Sequence, residues 1–198
     1  GLVLPIDKQK SVYISSNFDD KKYKIKIMKG RLLVNGEIKT QLLLERVSNE
    51  SIFNLEPITA GRGFHWQKKI NISINGSLKI MIIDDNLFIV NEIGLESYLM
   101  SVATSEMSGE CPIALLEAQT IAARSWIIAS EEQKHKDLDI DVCNDDCCQR
   151  YQGTQNISKL AQLAVRKTRG VFVTYDNEIC DTRYSKSCGG ISENNENV

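Results

Sequence analysis

The sequence predicts an α+β protein. An antiparallel β-rich N-terminal part, residues 1–92, packs with a helical part, residues 93–198, that ends in a closing β-hairpin. Three observations carry this. Before Leu95, apolar residues alternate with polar ones, the period of a half-buried strand. Asn-Gly and Asp-Asp-Asn turns recur between those runs. From Leu95 onward the apolar spacing lengthens to that of a helix.

The elements follow in order. In KYKIKIM, Tyr23, Ile25 and Ile27 alternate with lysines, so one strand face turns inward. RLLVNGEIKTQLLL sets Asn35-Gly36 between two apolar runs, the strongest short hairpin signal. KINISINGSLKIMII repeats the device, with Ile70, Ile72 and Ile74 alternating before Asn75-Gly76, and predicts another hairpin. Asp84-Asp85-Asn86 then turns the chain into LFIV. Three hairpin-like units in succession predict an antiparallel sheet or a small barrel.

Leu95, Leu99 and Val102 lie at i, i+4 and i+7, one face of a helix. A second helix opens at Pro112, an expected first-turn residue, and continues through IALLEAQTIAARSWIIASEE. Its Ala114, Ala118 and Ala122 form a small-residue stripe that lets a neighbour approach closely. A polar, cysteine-bearing loop runs from Lys134 to Gly153. A third helix spans roughly Ser158 to Thr168 and closes at Gly170. VFVTY, a turn at Asp176-Asn177 and EICDTRYS make the closing hairpin. The polar tail GGISENNENV carries no terminating element, so the chain reads as a fragment of a longer protein.

Composition narrows the function classes. The 198 residues are 42% apolar and 25% charged, ordinary for a globular protein and against disorder. With 24 Lys plus Arg against 26 Asp plus Glu, there is no basic excess of the kind that binds nucleic acid. No run approaches the ~18 apolar residues of a membrane span. The opening GLVLPIDKQK lacks a signal-peptide layout.

Chemistry enters at ATSEMSGECP, residues 103–112. Glu106 lies eleven residues after Leu95, on the same face as Leu99 and Val102. An acid on a core-facing stripe loses solvation, which favours its protonated form near neutral pH, as a general acid requires. The alternative is that the helix has already ended and Glu106 is a surface charge. A second cluster is His135, Cys143, Cys147 and Cys148, spaced H-x7-C-x3-C-C. Four such ligands suffice for tetrahedral zinc, which would be structural because no position stays open. Disulfides are the rival reading, from this loop to Cys188 or between Cys111 and Cys180, and free buried thiols are the third.

NEIGLESYLMSVATSEMSGECPIALLEAQTIAARSWIIA closely resembles the core motif of the family of stage II sporulation protein D and the amidase enhancer LytB. Further pieces match in order: DVCNDDCCQRYQG, AVRKTRGVFVTYDNE and RYSKSCGGISEN. The resemblance runs from about Trp66 to Val198, while the earlier hairpins match only in style. It implies a lytic transglycosylase that cleaves the bond between N-acetylmuramic acid and N-acetylglucosamine in peptide-stripped glycan, leaving a 1,6-anhydro end. The glutamate of the SEM motif, here Glu106, is then the catalytic acid and base. A single carboxylate suffices, because the sugar's own C6 hydroxyl replaces the external nucleophile.

By the same match Arg124, Tyr184 and Lys186 would contact substrate, with Gln119 in support. Arg124 would orient the glutamate or meet the muramic carboxylate. Tyr184 and Lys186, two apart on a strand, would share a face. Some relatives carry a Cys/His cluster in the same loop that looks zinc-binding, and catalysis itself implies no cofactor. Many members also carry a lysine where this chain has Glu117, which predicts a different or weaker grip on glycan. The implied partners are peptidoglycan strands and a cell-wall amidase or endopeptidase of the engulfment machinery. The implied location is the wall side of the cytoplasmic membrane, through an N-terminal anchor outside this chain. The resemblance also admits a non-catalytic member that binds peptidoglycan and activates an amidase. A zinc or redox module on the same scaffold is the other rival.

Overall fold

The computed structural model describes residues 2–5, 10–61, 63, 65–130, 134–138, 140–144, 147–187, 189–192 and 194, with backbone alone for 2–5 and 136. The architecture is α+β. Ten strands come first: β1 Leu2–Pro5, β2 Ser11–Ser16, β3 Lys22–Met28, β4 Arg31–Val34, β5 Glu37–Lys39, β6 Leu42–Leu44, β7 Phe53–Ala60, β8 Lys68–Ile74, β9 Ser77–Ile83 and β10 Asn86–Glu92. Helices α1 Leu95–Glu106 and α2 Ile113–Ala129 follow. Then come a short strand β11 Val142–Cys143, helix α3 Lys159–Lys167, and the hairpin β12 Thr174–Tyr175 with β13 Glu178–Ile179.

The β-rich part is two sheets. Six strands run in the order β5-β4-β3-β2-β7-β8 and five in the order β11-β1-β10-β9-β6, with the β1–β11 pair parallel. The predicted alternation holds in β3, where Ile25 is buried between exposed lysines, and β2 shows the same pattern, with Val12 and Ile14 buried while Ser11 and Tyr13 face out. Inward residues of both sheets, including Ile14, Ile25, Ile72, Ile80 and Ile89, form one core with Leu99 and Val102 of α1, Ala123 of α2 and Val165 of α3. At roughly 25 cal/mol per Å² of apolar surface removed from water, this shared core is the main force joining strands to helices.

Two predicted turns form as expected. Asn35 and Gly36 both take positive φ between β4 and β5, and Asp84 and Asp85 do the same between β9 and β10. Both are the twist-matching arrangement of a two-residue hairpin loop. The third differs. Asn75-Gly76 joins β8 to β9, and these strands belong to different sheets, so the turn is a corner and makes no hairpin. The reason lies in what surrounds it. Asn91 of β10 donates from Nδ2 to the carbonyls of Asn75 and Ser77 at 2.8 and 3.2 Å, and Gly76 packs on the Glu92 carbonyl. β9 therefore pairs with β10 and β6, leaving β8 on β7. Pro57 occupies the register shift between β7 and β8, where a residue without an N–H costs the ladder nothing.

The helices start and stop where local chemistry allows. Pro112 caps α2 one residue before its first turn. The Ser158 hydroxyl accepts the Ala161 N–H at 3.0 Å and caps α3, and Gly170 takes a φ of 73° beyond its end. Among the described residues no helix is long and apolar enough to cross a membrane.

The corner at Gly76 yields a prediction. Gly76 has a φ of 91°, and an added Cβ would strike the Glu92 carbonyl. Gly76→Ala should lose about 2 kcal/mol or more in denaturant unfolding, whereas Gly36→Ala, with open space around it, should lose less. Equal losses at both sites would contradict the packing account of the corner.

Candidate active site

Leu99 and Val102 are fully buried and fix the rotation of α1, which brings its last residue, Glu106, to a half-buried position at the helix end. The backbone N–H of Arg150 donates to Glu106 Oε1 at 2.6 Å. That donor is placed by a tightly held segment. The Tyr151 ring is fully buried and stacks on Tyr98 of α1, with centroids 5.6 Å apart and planes at 12°. Gln149, also buried, accepts from the Tyr98 hydroxyl at 3.1 Å and donates to the Ala123 carbonyl at 3.1 Å. Gly153, with a φ of 77°, passes so close to the Ser73 carbonyl of β8 that no side chain fits, and Thr154 N–H donates to that carbonyl at 2.7 Å. The Arg150 guanidinium lies over the Trp66 ring at 4.1 Å, and Gly61 makes room for that ring.

Glu106 opens on a cleft of roughly 330 Å³ that Trp126, Lys134, Gln149, Arg183 and Tyr184 also line. Tyr184 is brought in by the stretch after β13. Cys180 N–H donates to the Val173 carbonyl at 2.9 Å, and the Thr182 hydroxyl donates to the Ala122 carbonyl of α2 at 2.7 Å. Burial first, and then the charge of Glu106, pushes the Tyr184 hydroxyl well above its ordinary range, so it stays a proton donor at neutral pH. It lies beside the amides of Gln119 and Gln149. Gln119 is only 4% exposed.

Of the residues the sequence singled out, Glu106 and Tyr184 meet at this cleft and Gln119 stands behind it. Two do not gather there. Residues 181–187 form no strand, because β13 ends at Ile179 and the segment is pinned to α2, so Tyr184 and Lys186 share no strand face. Lys186 is exposed, and no contact joins it to Glu106 among the described residues. Arg124 is 0% exposed, out of reach of a glycan. Its Nε and Nη2 donate to the two oxygens of Glu96 at 3.0 and 2.8 Å, and Nη1 donates to the Val171 carbonyl at 3.1 Å. It ties the start of α1 and the end of α3 to α2, and its charge is answered by Glu96. Glu117 points toward α3, where Lys167 pairs with it at 3.2 Å.

Sequence reasoning passed over Trp126, Gln149, Arg150 and Arg183. All four stand inside the matched motifs, but a contact made through a backbone amide, as at Arg150, leaves no side-chain signature.

His135, Cys143, Cys147 and Cys148 do converge, with all four ligand atoms within 4.8 Å of one another. Cys143 Sγ lies 3.0 Å from Cys147 Sγ, and Cys148 Sγ lies 3.3 Å from His135 Nε2. Hydrogen bonds from Cys143 and then Cys148 hold the Cys147 thiol far below its ordinary range, toward the thiolate that binds metal. The donor set and its compactness fit a metal ion. Among the described residues none of Cys111, Cys143, Cys147, Cys148 and Cys180 is in a disulfide, so the alternative Cys111–Cys180 bridge is absent. Cys188 lies outside the described residues. Cys147 and Cys148 also border the cleft, two to three residues before the Arg150 amide.

Residues 84–175 match the model of the family described as SpoIID, Stage II sporulation protein, the family that the motifs above resemble. The match supports a role in sporulation or on the cell wall. An uncharacterized protein of Brachyspira hyodysenteriae is 32% identical over 127 residues, which are 64% of this chain and 34% of that protein. The chain thus spans about a third of the length of the curated relative it matches.

The buried pair makes its own prediction. Glu96→Gln leaves the Arg124 charge buried with its partner gone, and should cost roughly 3 kcal/mol of stability in thermal or denaturant unfolding. Lys186→Gln, at an exposed side chain, should cost within about 0.5 kcal/mol. A neutral Glu96→Gln would contradict the role assigned to the pair.

Proposed function

We propose that this chain is a lytic transglycosylase of peptidoglycan, with Glu106 as its single acid and base. The observation that carries the reading is Glu106 itself, held at one oxygen by the Arg150 amide and facing a cleft with an aromatic wall at Trp126 and a phenol at Tyr184. Protonated Glu106 donates to the glycosidic oxygen, and the bond from C1 of the muramic sugar to that oxygen breaks. The C6 hydroxyl of the same sugar then attacks C1, and the Glu106 carboxylate accepts its proton. The products are a 1,6-anhydro muramic end and a free 4-hydroxyl on N-acetylglucosamine, with no water consumed. Intramolecular attack gains from proximity.

The position of Glu106 suits both halves of this cycle. The negative end of α1 favours the acid form, while the Arg150 N–H favours the carboxylate formed after proton donation. Trp126 offers an apolar ring to the faces of sugar rings, and Tyr184 offers a donor to charge developing on the leaving oxygen. The donor set at His135, Cys143, Cys147 and Cys148 supports zinc as the resident ion. With four protein ligands it would be structural, stiffening the loop that presents the Arg150 amide. The reading extends to peptide-stripped glycan as substrate, a wall amidase as partner, and action on the outer side of the cytoplasmic membrane.

Two measurements test this. Glu106→Gln should abolish release of anhydro-muramic ends from peptide-free glycan, read by mass spectrometry, while leaving the unfolding midpoint unchanged. Undiminished release would overturn the assignment. Wild-type protein that binds this glycan and releases no such ends would favour the amidase activator instead. X-ray fluorescence should find about one zinc per chain, and chelation should lower the unfolding temperature. A metal-free protein with paired thiols would contradict the zinc reading.

A further inference from the structure

The outer face of the six-stranded sheet carries a second depression. Val12 and Ile14 of β2 turn into the core, so Tyr13 between them points out, and its side chain stays 50% exposed. The antiparallel register sets Lys24 of β3 on one side of Tyr13 and Glu56 of β7 on the other. Lys24 Nζ lies 5.7 Å from the ring centroid. Asn35 is fixed beside β3, where its Oδ1 accepts the Lys24 N–H at 2.7 Å and its Nδ2 donates to the Lys22 carbonyl at 3.0 Å. With Asn54 of β7 these residues line a volume of roughly 450 Å³, inside the ~300–1,000 Å³ typical of small-ligand sites.

The chemistry of this surface fits a sugar. A sugar ring has apolar C–H faces and a rim of hydroxyls that both donate and accept. An aromatic ring beside a carboxylate, an amide and an ammonium answers both halves of that pattern. The Tyr13 hydroxyl and the Glu56 carboxylate have no hydrogen-bond or ion-pair partner among the described residues, so both are open to a ligand. A protein partner would call for an apolar centre, whereas the outward neighbours of Tyr13 are Ser15, Lys22, Lys24, Asn54 and Glu56.

Two observations point to wall glycan as that sugar. The depression shares its frame with the acid. Gln155, further along the segment that carries the Arg150 amide, donates to Ser73 Oγ at 3.1 Å. Ser73 Oγ in turn donates to Asn54 Oδ1 at 2.6 Å, and Asn54 lines the depression. The segment that presents an amide to Glu106 thus reaches the sheet face that carries Tyr13. Charge is the second observation. Lys22 and Lys24 outnumber Glu56 around the ring, a local positive field that suits a polymer whose sugars and stem peptides both bear carboxylates.

We propose that the outer sheet face around Tyr13 is a second glycan-binding site, which holds wall strands away from the cleft at Glu106. The inference rests on the glycan-cleaving reading above. Tyr13 is the platform for a sugar face, Glu56 and Asn54 meet hydroxyls, and Lys22 and Lys24 face the acidic groups of the strand. A strand gripped on the sheet presents its remaining bonds to Glu106 at a raised local concentration. The β-rich part is then a gripping surface as well as a scaffold.

The test uses the Glu106→Gln protein, which leaves the strand uncut. Long peptide-free wall glycan is titrated in, affinity is read by calorimetry, and the contact surface is mapped by amide NMR shifts. The amides of Tyr13, Lys24 and Asn54 should shift together with that of Arg150. Adding Tyr13→Ala should weaken binding about tenfold and abolish the shifts on the sheet, while those at Arg150 persist. Tyr13→Phe should keep most of the affinity. Glu56→Gln, at an exposed side chain that the fold does not need, should weaken binding about threefold. Strands that shift no amide around Tyr13, an affinity untouched by both Tyr13→Ala and Glu56→Gln, or sheet shifts that follow protein concentration as in self-association would each overturn the proposal. If strands bind at Tyr13 but wild-type protein releases no anhydro ends, the sheet site stands and the cleavage reading falls. Release of such ends without binding at Tyr13 gives the reverse.

Discussion

One hydrogen bond organises this site: the Arg150 amide on the Glu106 carboxylate, at 2.6 Å. It joins residues 44 apart in the chain, one at the end of a helix and the other in a loop without regular structure. A backbone donor cannot change rotamer, so its aim is set by whatever fixes the peptide. Here that is a series of contacts reaching into both sheets: Tyr151 stacked on Tyr98 and bonded to Asn91, Gln149 between Tyr98 and Ala123, and Gly153 pressed against Ser73. The β-rich part therefore does more than bulk out the molecule. Through Asn91 and Ser73 it is one wall of the mould that positions the acid.

The second constraint is the buried pair of Arg124 and Glu96. A guanidinium with no exposure is tolerated because a carboxylate, a backbone carbonyl and a threonine hydroxyl all face it. It locks α1, α2 and the end of α3 together, and the same helices hold Glu106, Trp126 and the anchor of Tyr184. Losing the pair would disturb the cleft without any of its members touching a ligand. An arginine tied to a family motif can thus owe its place to the frame that supports the chemistry.

Much of this was legible in the chain, and the parts that were not share a cause. Alternation in β3, the Asn35-Gly36 and Asp84-Asp85 turns, the opening of α2 at Pro112 and the four metal-type ligands all depend on local spacing. Asn75-Gly76 carried the same local signal and became a corner between sheets, because Asn91, sixteen residues away from Asn75, outbid the hairpin. Lys186 was placed beside Tyr184 on the assumption of a strand, yet Thr182 ties that segment to α2 instead. Arg183 and Gln149 lie inside matched motifs, yet nothing in their spacing marks a role, since a polar residue in a loop announces nothing until its neighbours are known. Periodicity marks which face a residue takes; it does not say which distant group it will meet.

The account's central claim is that glycan lies along Glu106 and Trp126. A crystal structure of the Glu106→Gln protein with a peptide-free muramic-glucosamine tetrasaccharide tests it most directly. The account predicts a glycosidic oxygen roughly 3 Å from the residue 106 side chain, a sugar face against Trp126, and the Arg150 amide still donating to residue 106. A glycan bound on another face of the protein, with the cleft beside residue 106 filled only by water, would contradict it.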